Sequence, residues 1–293
     1  IEKCYLQVNI SNKIRNFIKK KSEELSLDFF DLIKQQGDIR NLMIRTTTTN
    51  EIMVLIQFYK YSKKAENLLG LIKNEFNEIT SIMYVINNKH NDTIYDLKIL
   101  CFSGKNYITE KIGELLFKIS AKAFFQTNSY QTNKLYNIVK KFANLKGDEI
   151  VYDLYCGIGT ISLFLSKEAK KIIGVETVKD AVQAAKSNSK LNNISNCKFI
   201  HGDVKDIIAK PIEVNEKPDI IIVDPPRNGL EKSVIKSIIE LSPNKIIYVS
   251  CNSSTQARDI IDLKEFYEIK TSQAIDMFPQ TYHVENVVLL EKI

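Results

Sequence analysis

Long apolar runs are absent from this sequence of 293 residues. A membrane-spanning helix needs about 20 consecutive apolar residues, and no run approaches that length. The first residues also lack the charged and apolar pattern of a secretory leader. We therefore expect a soluble, cytoplasmic protein with no membrane partner.

Cysteine is scarce, and its spacing argues against two kinds of structure. The cysteines are odd in number and scattered, which favours reduced thiols over a disulfide framework. No two of them have the close spacing of a metal-binding pair, so we predict no metal site. They are Cys4, Cys101, Cys156, Cys197 and Cys251.

Internal repeats and low-complexity linkers are missing as well. Hydrophobic residues make up 44% and charged residues 26% of the chain, which excludes disordered and fibrous classes. The length suits two domains with ample core. The formal charge of +6 is mild, but basic residues cluster at 13–21 and 140–141. Such clusters fit either a nucleic-acid partner or a solvated helix face.

The periodicity of apolar residues divides the chain at residue 120. Residues 1–120 predict an α+β domain, and residues 121–293 predict a domain in which strands and helices alternate. In the first domain we expect helices within 11–27 and 65–76, a hairpin of strands 39–48 and 52–59, and strands 81–87, 94–101, 107–112 and 115–120.

The second domain has the pattern of a Rossmann-like α/β fold, a doubly wound, mostly parallel sheet of seven strands. Such sheets bind ligands beyond the carboxyl ends of their strands. No helix is predicted between the last two strands, so they should form an antiparallel pair at one edge. The strands are expected at 149–154, 171–176, 197–202, 219–224, 245–250, 267–275 and 284–291.

The first strand of that sheet runs into a glycine-rich turn, Asp153 to Thr160. Gly157 and Gly159 allow positive φ and close approach of the backbone to a ligand, and a helix begins just beyond them. Glu176 ends the next strand, where a carboxylate can accept hydrogen bonds from a ribose diol. The pair predicts a nucleotide-type cofactor, although glycine pairs also occur in plain tight turns.

Two acids follow later strands of the sheet. Asp203 can accept a hydrogen bond from an adenine amine, or it can be the N-cap of a helix at 204–210; both roles are compatible. Asp224 precedes Pro225 and Pro226, which fix an extended loop with no N–H of its own. Enzymes that methylate nucleic-acid bases often carry an acid followed by two prolines at this point, and the alternative is a stiff turn.

A thiol and a carboxyl group complete the set of strand-end residues. Cys251 follows the fifth strand and precedes a helix start, where a thiol can be activated as a nucleophile; Cys156 and Cys197 are expected to be core residues. Glu285 heads an apolar strand, where desolvation would raise its pKa toward that of a proton acceptor. The alternatives are packing for Cys251 and an exposed strand-end charge for Glu285.

Taken together, these residues resemble the RNA (uracil-5-)methyltransferase family, which uses S-adenosylmethionine. Five motifs appear in the family's order between residues 123 and 285, and residues 37–45 are similar to its central domain. The motifs are Ala123 to Asn128, Asp153 to Thr160, Asp224 to Gly229, Val249 to Asn252 and Phe278 to Glu285.

The resemblance implies transfer of a methyl group to carbon 5 of a uridine in structured RNA, by an enzyme that we expect to act as a monomer. Residues 1–120 would be the RNA-contacting central domain and 121–293 the catalytic domain. Cys251 would be the nucleophile and Glu285 the base. The residues that would bind or border the methyl donor are Gln126, Tyr155, Gly157, Thr160, Glu176, Asp203 and Asp224.

The sequence departs from the family pattern in three places. Thr160 stands where many members have asparagine, and Gln280 replaces a more usual histidine. The N-terminal oligonucleotide-binding barrel and four-cysteine iron–sulfur site of the ribosomal branch are not encoded here. Cys4 would follow that cluster, so we expect a fragment of a longer enzyme.

The sequence is compatible with more than one RNA substrate and more than one class of activity. The central-domain stretch favours ribosomal large-subunit RNA, with transfer RNA as the alternative substrate. An amino-group methyltransferase for adenine or glutamine would share the two prolines but would need no cysteine. A non-catalytic RNA-binding assembly factor would keep the sheet without the reaction. His283 could contact RNA phosphate or be structural, and Phe124, Phe125 or Tyr155 could stack on a base or pack in the core.

Overall fold

The computed structural model describes residues 2–209 and 217–293. They form two compact units, which we describe separately. The first contains the residues up to 111 together with 118–122, and the second contains 112–117 and the residues from 123 onward.

The first unit packs two helices on a four-stranded sheet in the order β1-β2-β3-β4. Strands β1 and β2 are antiparallel, β2 and β3 are parallel, and β3 and β4 are antiparallel. The helix α2 makes the crossover that parallel strands require. The elements are α1 (Asn9–Glu24), β1 (Ile39–Thr46), β2 (Ile52–Phe58), α2 (Lys63–Glu75), β3 (Ser81–Ile86) and β4 (Ile99–Gly104).

One predicted strand of this unit is wrong in its position. The sequence indicated a strand at 94–101, but β4 begins at Ile99. The preceding segment turns instead, because the Leu97 N–H donates to the Ile94 carbonyl at 3.1 Å. Lys122 Nζ also donates to the Tyr95 carbonyl at 2.8 Å. These two hydrogen bonds outweigh the strand propensity of Ile94 and Tyr95.

A two-stranded hairpin follows, formed by β5 (Ile108–Ile112) and β6 (Leu115–Ile119). The turn between them contains Gly113, whose φ of 57° is costly for any residue with a Cβ. The sequence placed these strands at 107–112 and 115–120, so both predictions are confirmed to within one residue.

The second unit is the predicted doubly wound sheet of seven strands, in the order β12-β13-β11-β10-β7-β8-β9. The strands from β11 to β9 across this order are parallel, whereas β13 runs antiparallel to both β11 and β12. The predicted fold class and antiparallel edge pair are confirmed. The strands are β7 (Ile150–Leu154), β8 (Lys171–Glu176), β9 (Cys197–His201), β10 (Ile220–Val223), β11 (Lys245–Ser250), β12 (Tyr267–Ile275) and β13 (Glu285–Lys292).

Helices connect most of these strands, and the sheet's core is built from aliphatic side chains. All four residues of β10 are buried, and burying each such side chain contributes about 1.5–3 kcal/mol. The helix predicted at 204–210 is present as Val204–Ile208, and residue 210 lies outside the described residues. The helices are α3 (Ser129–Ala143), α4 (Thr160–Leu165), α5 (Lys179–Leu191), α6 (Val204–Ile208), α7 (Lys232–Leu241) and α8 (Ser253–Leu263).

No helix within 2–209 or 217–293 combines the length and the apolar character that crossing a bilayer requires.

Candidate active site at the carboxyl ends of the strands

The turn after β7 has the sharp backbone path that its glycines predicted. Tyr155, Gly157 and Gly159 have φ values of 67°, 55° and 82°. The N–H groups of Tyr155 and Cys156 both donate to the Val175 carbonyl on β8, at 2.9 and 3.1 Å. The turn is therefore held to the neighbouring strand in a left-handed conformation that is rare outside glycine.

The two glycines serve different purposes in this turn. A Cβ on Gly159 would lie 2.8 Å from the ring of Phe199, so this position has room only for glycine. A Cβ on Gly157 would meet no atom of the described residues within 4 Å. Gly159 therefore allows close packing, whereas Gly157 faces open space.

That open space belongs to a cavity, which we call the corner pocket. Five of the predicted cofactor-binding residues line it, and they come from the segment before α3, the glycine turn, the start of α4 and the end of β10. The lining comprises the predicted Gln126, Tyr155, Gly157, Thr160 and Asp224, together with Phe124, Phe125, Tyr136, Asp153, Cys156, Ile158 and Ile161.

The other two predicted cofactor-binding residues, Glu176 and Asp203, are not among the residues that line the corner pocket. Glu176 accepts a hydrogen bond from the Gly157 N–H at 3.0 Å, so its carboxylate braces the turn. Asp203 accepts from the Lys205 N–H at 3.1 Å and is the N-cap of α6. The structural interpretation of Asp203 is thus observed, and cofactor contacts of both residues stay predictions.

Asp153 is a pocket residue that the sequence analysis quoted within a motif but did not select. Its Oδ2 accepts from the Ser162 hydroxyl at 2.5 Å, while its Oδ1 is buried without a hydrogen-bond partner among the described residues. Burial raises the pKa of this carboxyl group to about 7. The signal available in the sequence was an acid directly following Val151 and Tyr152 in a buried strand.

Asp224 lies at the carboxyl end of β10, beside the glycine turn, and its N–H donates to the Leu154 carbonyl at 3.4 Å. Desolvation, with the nearby Glu285 and Asp153 charges, raises its pKa to about 8. The loop that follows is fixed from α8, because Asn252 Nδ2 and the Thr255 hydroxyl donate to the Arg227 carbonyl at 3.0 and 3.1 Å.

The sheet register brings Cys251 and Glu285 together. Ser250 pairs with Asn286 across the antiparallel strands β11 and β13. Cys251 follows Ser250 and Glu285 precedes Asn286, so the two side chains of interest leave the sheet at neighbouring positions. Glu285 is buried, which contradicts its alternative interpretation as an exposed strand-end charge.

The surroundings of these two groups favour their neutral forms. Desolvation raises the pKa of Cys251, and the Glu285 and Asp224 carboxylates raise it further. Desolvation likewise raises the pKa of Glu285, and the Arg227 guanidinium partly offsets this. The net effect of these groups raises the pKa of the thiol, and the activation of Cys251 as a nucleophile stays a prediction.

Arg227 and His283 form a polar contact next to this pair. One guanidinium nitrogen of Arg227, Nη2, lies 3.4 Å from each ring nitrogen of His283. The guanidinium also lowers the pKa values of both Cys251 and Glu285 by its charge. A positive group thus stands beside a thiol and a carboxyl group that could act on one substrate.

The remaining cysteines of this unit differ from Cys251. Cys156 is buried, and desolvation raises its pKa well above the ordinary range. Burial raises the pKa of Cys197 to about 12. Both thiols stay protonated near neutral pH. Cys156 is a core residue, as expected, whereas Cys197 is only partly buried. Across 2–209 and 217–293, no three His, Cys, Asp or Glu side chains are arranged to hold a metal ion.

The sheet order and the corner pocket define the class of this protein as a doubly wound α/β fold with a ligand site at its carboxyl edge. The chain belongs to the family described as tRNA (Uracil-5-)-methyltransferase, whose sequence profile matches residues 45–293. The resemblance stated from the motifs is thereby confirmed at the level of the family.

Two curated relatives are similar over nearly the whole chain. Proteins from Bacteroides thetaiotaomicron and Porphyromonas gingivalis, each named "Uncharacterized RNA methyltransferase", are 47% and 48% identical over 297 and 296 residues. Each alignment covers 99% of this chain but only 65% and 64% of the relative. The chain therefore spans slightly less than two thirds of the length of these relatives.

A solved structure of a Pyrococcus abyssi tRNA (uracil-54, C5)-methyltransferase in complex with S-adenosyl-L-homocysteine is also similar. It is 29% identical with a TM-score of 0.82, and the match covers 99% of this chain and 69% of that one. The Pyrococcus abyssi Trm5b structure, with 15% identity and a TM-score of 0.55, shows likeness of fold alone.

Proposed function

We propose that this protein transfers a methyl group from S-adenosylmethionine to carbon 5 of a uridine in structured RNA. The observation that carries the proposal is the placement of Cys251 and Glu285 at facing strand ends beside Asp224. Family membership supports it. An amino-group methyltransferase would not need a thiol at this position.

The corner pocket has features that fit S-adenosylmethionine. Its Asp153 Oδ1 is a buried acceptor still without a partner among the described residues, and the space beside Gly157 admits a ligand close to the backbone. A positively charged ligand beside Asp153 and Asp224 would favour the ionised forms of these two carboxyl groups, whose pKa values are raised to about 7 and about 8. Gln126, Tyr155 and Thr160 would hold it from the remaining sides. When bound, it supplies an electrophilic methyl group.

The residues of this chain would act on the uracil ring in sequence. Carbon 5 of uracil is too electron-poor to accept a methyl group directly. Cys251 would release its thiol proton to solvent, and its sulfur would add to carbon 6. A sulfur–carbon bond forms as the double bond between carbons 5 and 6 opens, which leaves an enolate that is nucleophilic at carbon 5. After carbon 5 is methylated, Glu285 removes its proton. The sulfur–carbon bond then breaks and the ring double bond returns.

The RNA substrate is proposed as ribosomal, on the similarity of residues 37–45 to the ribosomal branch. A specific observation favours transfer RNA as the second candidate, since the similar Pyrococcus abyssi enzyme is named for uracil 54 of tRNA. Incubating the chain with each purified RNA and radiolabelled S-adenosylmethionine, then mapping 5-methyluridine by mass spectrometry, separates the two.

Cys251→Ala tests the nucleophile directly. We expect it to abolish formation of 5-methyluridine, while calorimetry shows S-adenosylmethionine affinity within about twofold of wild type. Cys101→Ala is the matched control, because Cys101 is exposed in the first unit, and it should keep wild-type turnover. Turnover by Cys251→Ala at the wild-type rate would contradict the proposal.

Glu285→Gln tests the base. The variant should still methylate the ring but should retain the RNA as a covalent adduct, since nothing removes the carbon-5 proton. Glu291→Gln, at the opposite end of β13, is the control and should release product normally. Gel electrophoresis under denaturing conditions measures the retained RNA, and normal product release by Glu285→Gln would refute this role.

A further inference from the structure

Tyr282 is an exposed aromatic residue that the proposed chemistry does not use. Its surface is 88% exposed, although most tyrosines bury a large part of their ring. It lies in the segment 276–284, which connects β12 to β13 and directly precedes Glu285. An exposed ring beside a catalytic segment is a candidate binding surface.

The segment that carries Tyr282 is held in place by hydrogen bonds. The Thr281 N–H and hydroxyl both donate to the Phe278 carbonyl, at 3.1 and 2.7 Å. The His283 N–H donates to the Thr281 hydroxyl at 3.2 Å. From the α3 side, Asn128 Nδ2 donates to the Met277 carbonyl at 3.2 Å. Tyr282 is therefore presented to solvent by a braced loop.

The ring of Tyr282 is the outer member of a column that consists of Tyr282, His283 and Arg227. Its centroid lies 4.1 Å from that of the His283 ring, with an interplanar angle of 40°. Arg227 Nη2 lies 3.4 Å from each nitrogen of His283. The charge of Arg227 acts on both Cys251 and Glu285. The column thus runs from an exposed aromatic ring to a guanidinium group whose charge acts on the thiol and the carboxyl group.

We propose that Tyr282 is a stacking platform for the base of a nucleotide that flanks the target uridine in the RNA. The inference rests on the proposed function, and it adds a binding position to it. An exposed aromatic ring accepts any base on its π-face. The cationic Arg227 in the same column suits the phosphate between the flanking nucleotide and the target, which a purely apolar protein partner would not supply.

Single-stranded RNA of seven nucleotides, with a central uridine and 2-aminopurine on one side or the other, provides the probe. Stacking on a tyrosine quenches 2-aminopurine fluorescence. The full chain should quench the probe at one flank, and Tyr282→Ala should remove the quenching. Loss of one base–aromatic stack should weaken binding by about 5- to 150-fold. Tyr282→Phe should restore both signals, since it keeps the ring.

Phe266→Ala is the matched control, because Phe266 is a 46% exposed aromatic residue just before the start of β12, at the opposite end of the sheet. It should leave quenching and affinity unchanged. Affinity and quenching of Tyr282→Ala within twofold of wild type would overturn the platform. It would also fall if Tyr282→Ala abolished self-association in sedimentation while RNA binding persisted, because the ring would then contact a second copy of the chain.

A 5-fluorouridine at the centre of the same probe keeps the two proposals separable. The fluorine at carbon 5 cannot be removed as a proton, so wild-type protein with S-adenosylmethionine should retain the probe as a denaturation-resistant complex. Quenching that depends on Tyr282 without such a complex would support the platform and contradict the uracil chemistry. A denaturation-resistant complex, with quenching that Tyr282→Ala leaves unchanged, would support the uracil chemistry and contradict the platform.

Discussion

Gly157 and Gly159 both have positive φ but have different surroundings. Alanine should therefore mainly reduce stability at position 159 and mainly reduce ligand binding at position 157. Gly159→Ala places a Cβ 2.8 Å from Phe199 and should lower the free energy of unfolding by about 2–5 kcal/mol. Gly157→Ala should lower it by only about 1–2 kcal/mol. Gly157→Ala should also weaken S-adenosylmethionine binding at least tenfold, because the methyl group of the alanine side chain would occupy part of the corner pocket.

Urea unfolding and calorimetry measure the two effects separately, and each variant is the control for the other. If Gly157→Ala bound S-adenosylmethionine as tightly as wild type, the space beside Gly157 would not be the ligand position. Equal unfolding free energies for the two variants would contradict the packing role assigned to Gly159.

Asp224 should make the stability of the ligand-free protein depend on pH. Its pKa is about 8 in the folded state and about 3.9 when unfolded. Between these values the folded state holds a proton that the unfolded state has lost. The stabilisation is complete below about pH 4 and is lost as the pH rises through 8. We expect wild type to lose more stability than Asp224→Asn between pH 5 and pH 9, in urea unfolding.

The neutral asparagine has nearly the size of the aspartate, so the variant isolates the charge. Asp262→Asn, an exposed acid on α8, should follow the wild-type pH dependence. Parallel curves for wild type and Asp224→Asn across this range would show that Asp224 is ionised throughout.

At the scale of residues, the sequence predicted positions better than it predicted protonation. Strand-end counting found Cys251, Glu285 and Asp224, because side chains just past parallel strands meet at one edge. It missed Asp153, whose importance depends on the burial of one carboxylate oxygen. The raised pKa of Cys251 was also outside its reach, because Glu285 becomes a neighbour of the thiol only through the antiparallel register of β13.

One buried acid on the helix α8, Asp259, holds neighbouring parts of the candidate site together. Asp259 Oδ2 accepts from the Leu230 N–H at 2.7 Å and from the Tyr248 hydroxyl at 2.6 Å. These bonds connect α8 with β11 and with the end of the loop that begins at Asp224. Asp259→Ala leaves two buried donors without this acceptor and should lower the free energy of unfolding by about 2–4 kcal/mol.

Asp262→Ala on the same helix is the control, and because this acid is exposed its effect should stay within about 0.5 kcal/mol. Chemical denaturation measures both variants. Equal free energies of unfolding for Asp259→Ala and Asp262→Ala would show that the hydrogen bonds to Asp259 do not stabilise the protein.

Strands and helices were predictable where the periodicity of apolar residues matched the side of the element that is buried. The strands of the second unit were located to within a residue or two, because apolar runs such as Ile220–Val223 have no alternative but the sheet interior. The strand expected at 94–101 was displaced because polar contacts of a loop, which carry no periodic signal, fold residues 94–98 into a turn.

At the scale of the whole molecule, the family assignment and the fold agree, and the chain spans 64–65% of the length of its curated relatives. The first unit was predicted from its pattern as α+β, and its four-stranded sheet has that character. Both candidate RNAs would offer the same uracil ring to the proposed chemistry. The central claim is therefore a chemical one, that a single pyrimidine is attacked by Cys251.

Trapping the chain on RNA that contains 5-fluorouridine, in the presence of S-adenosylmethionine, tests this claim most directly. We expect a complex that survives denaturation, in which mass spectrometry finds the methylated fluorouracil nucleotide attached to the peptide carrying Cys251. Methyl transfer to uridine without any such adduct, or an adduct on a different residue, would contradict it.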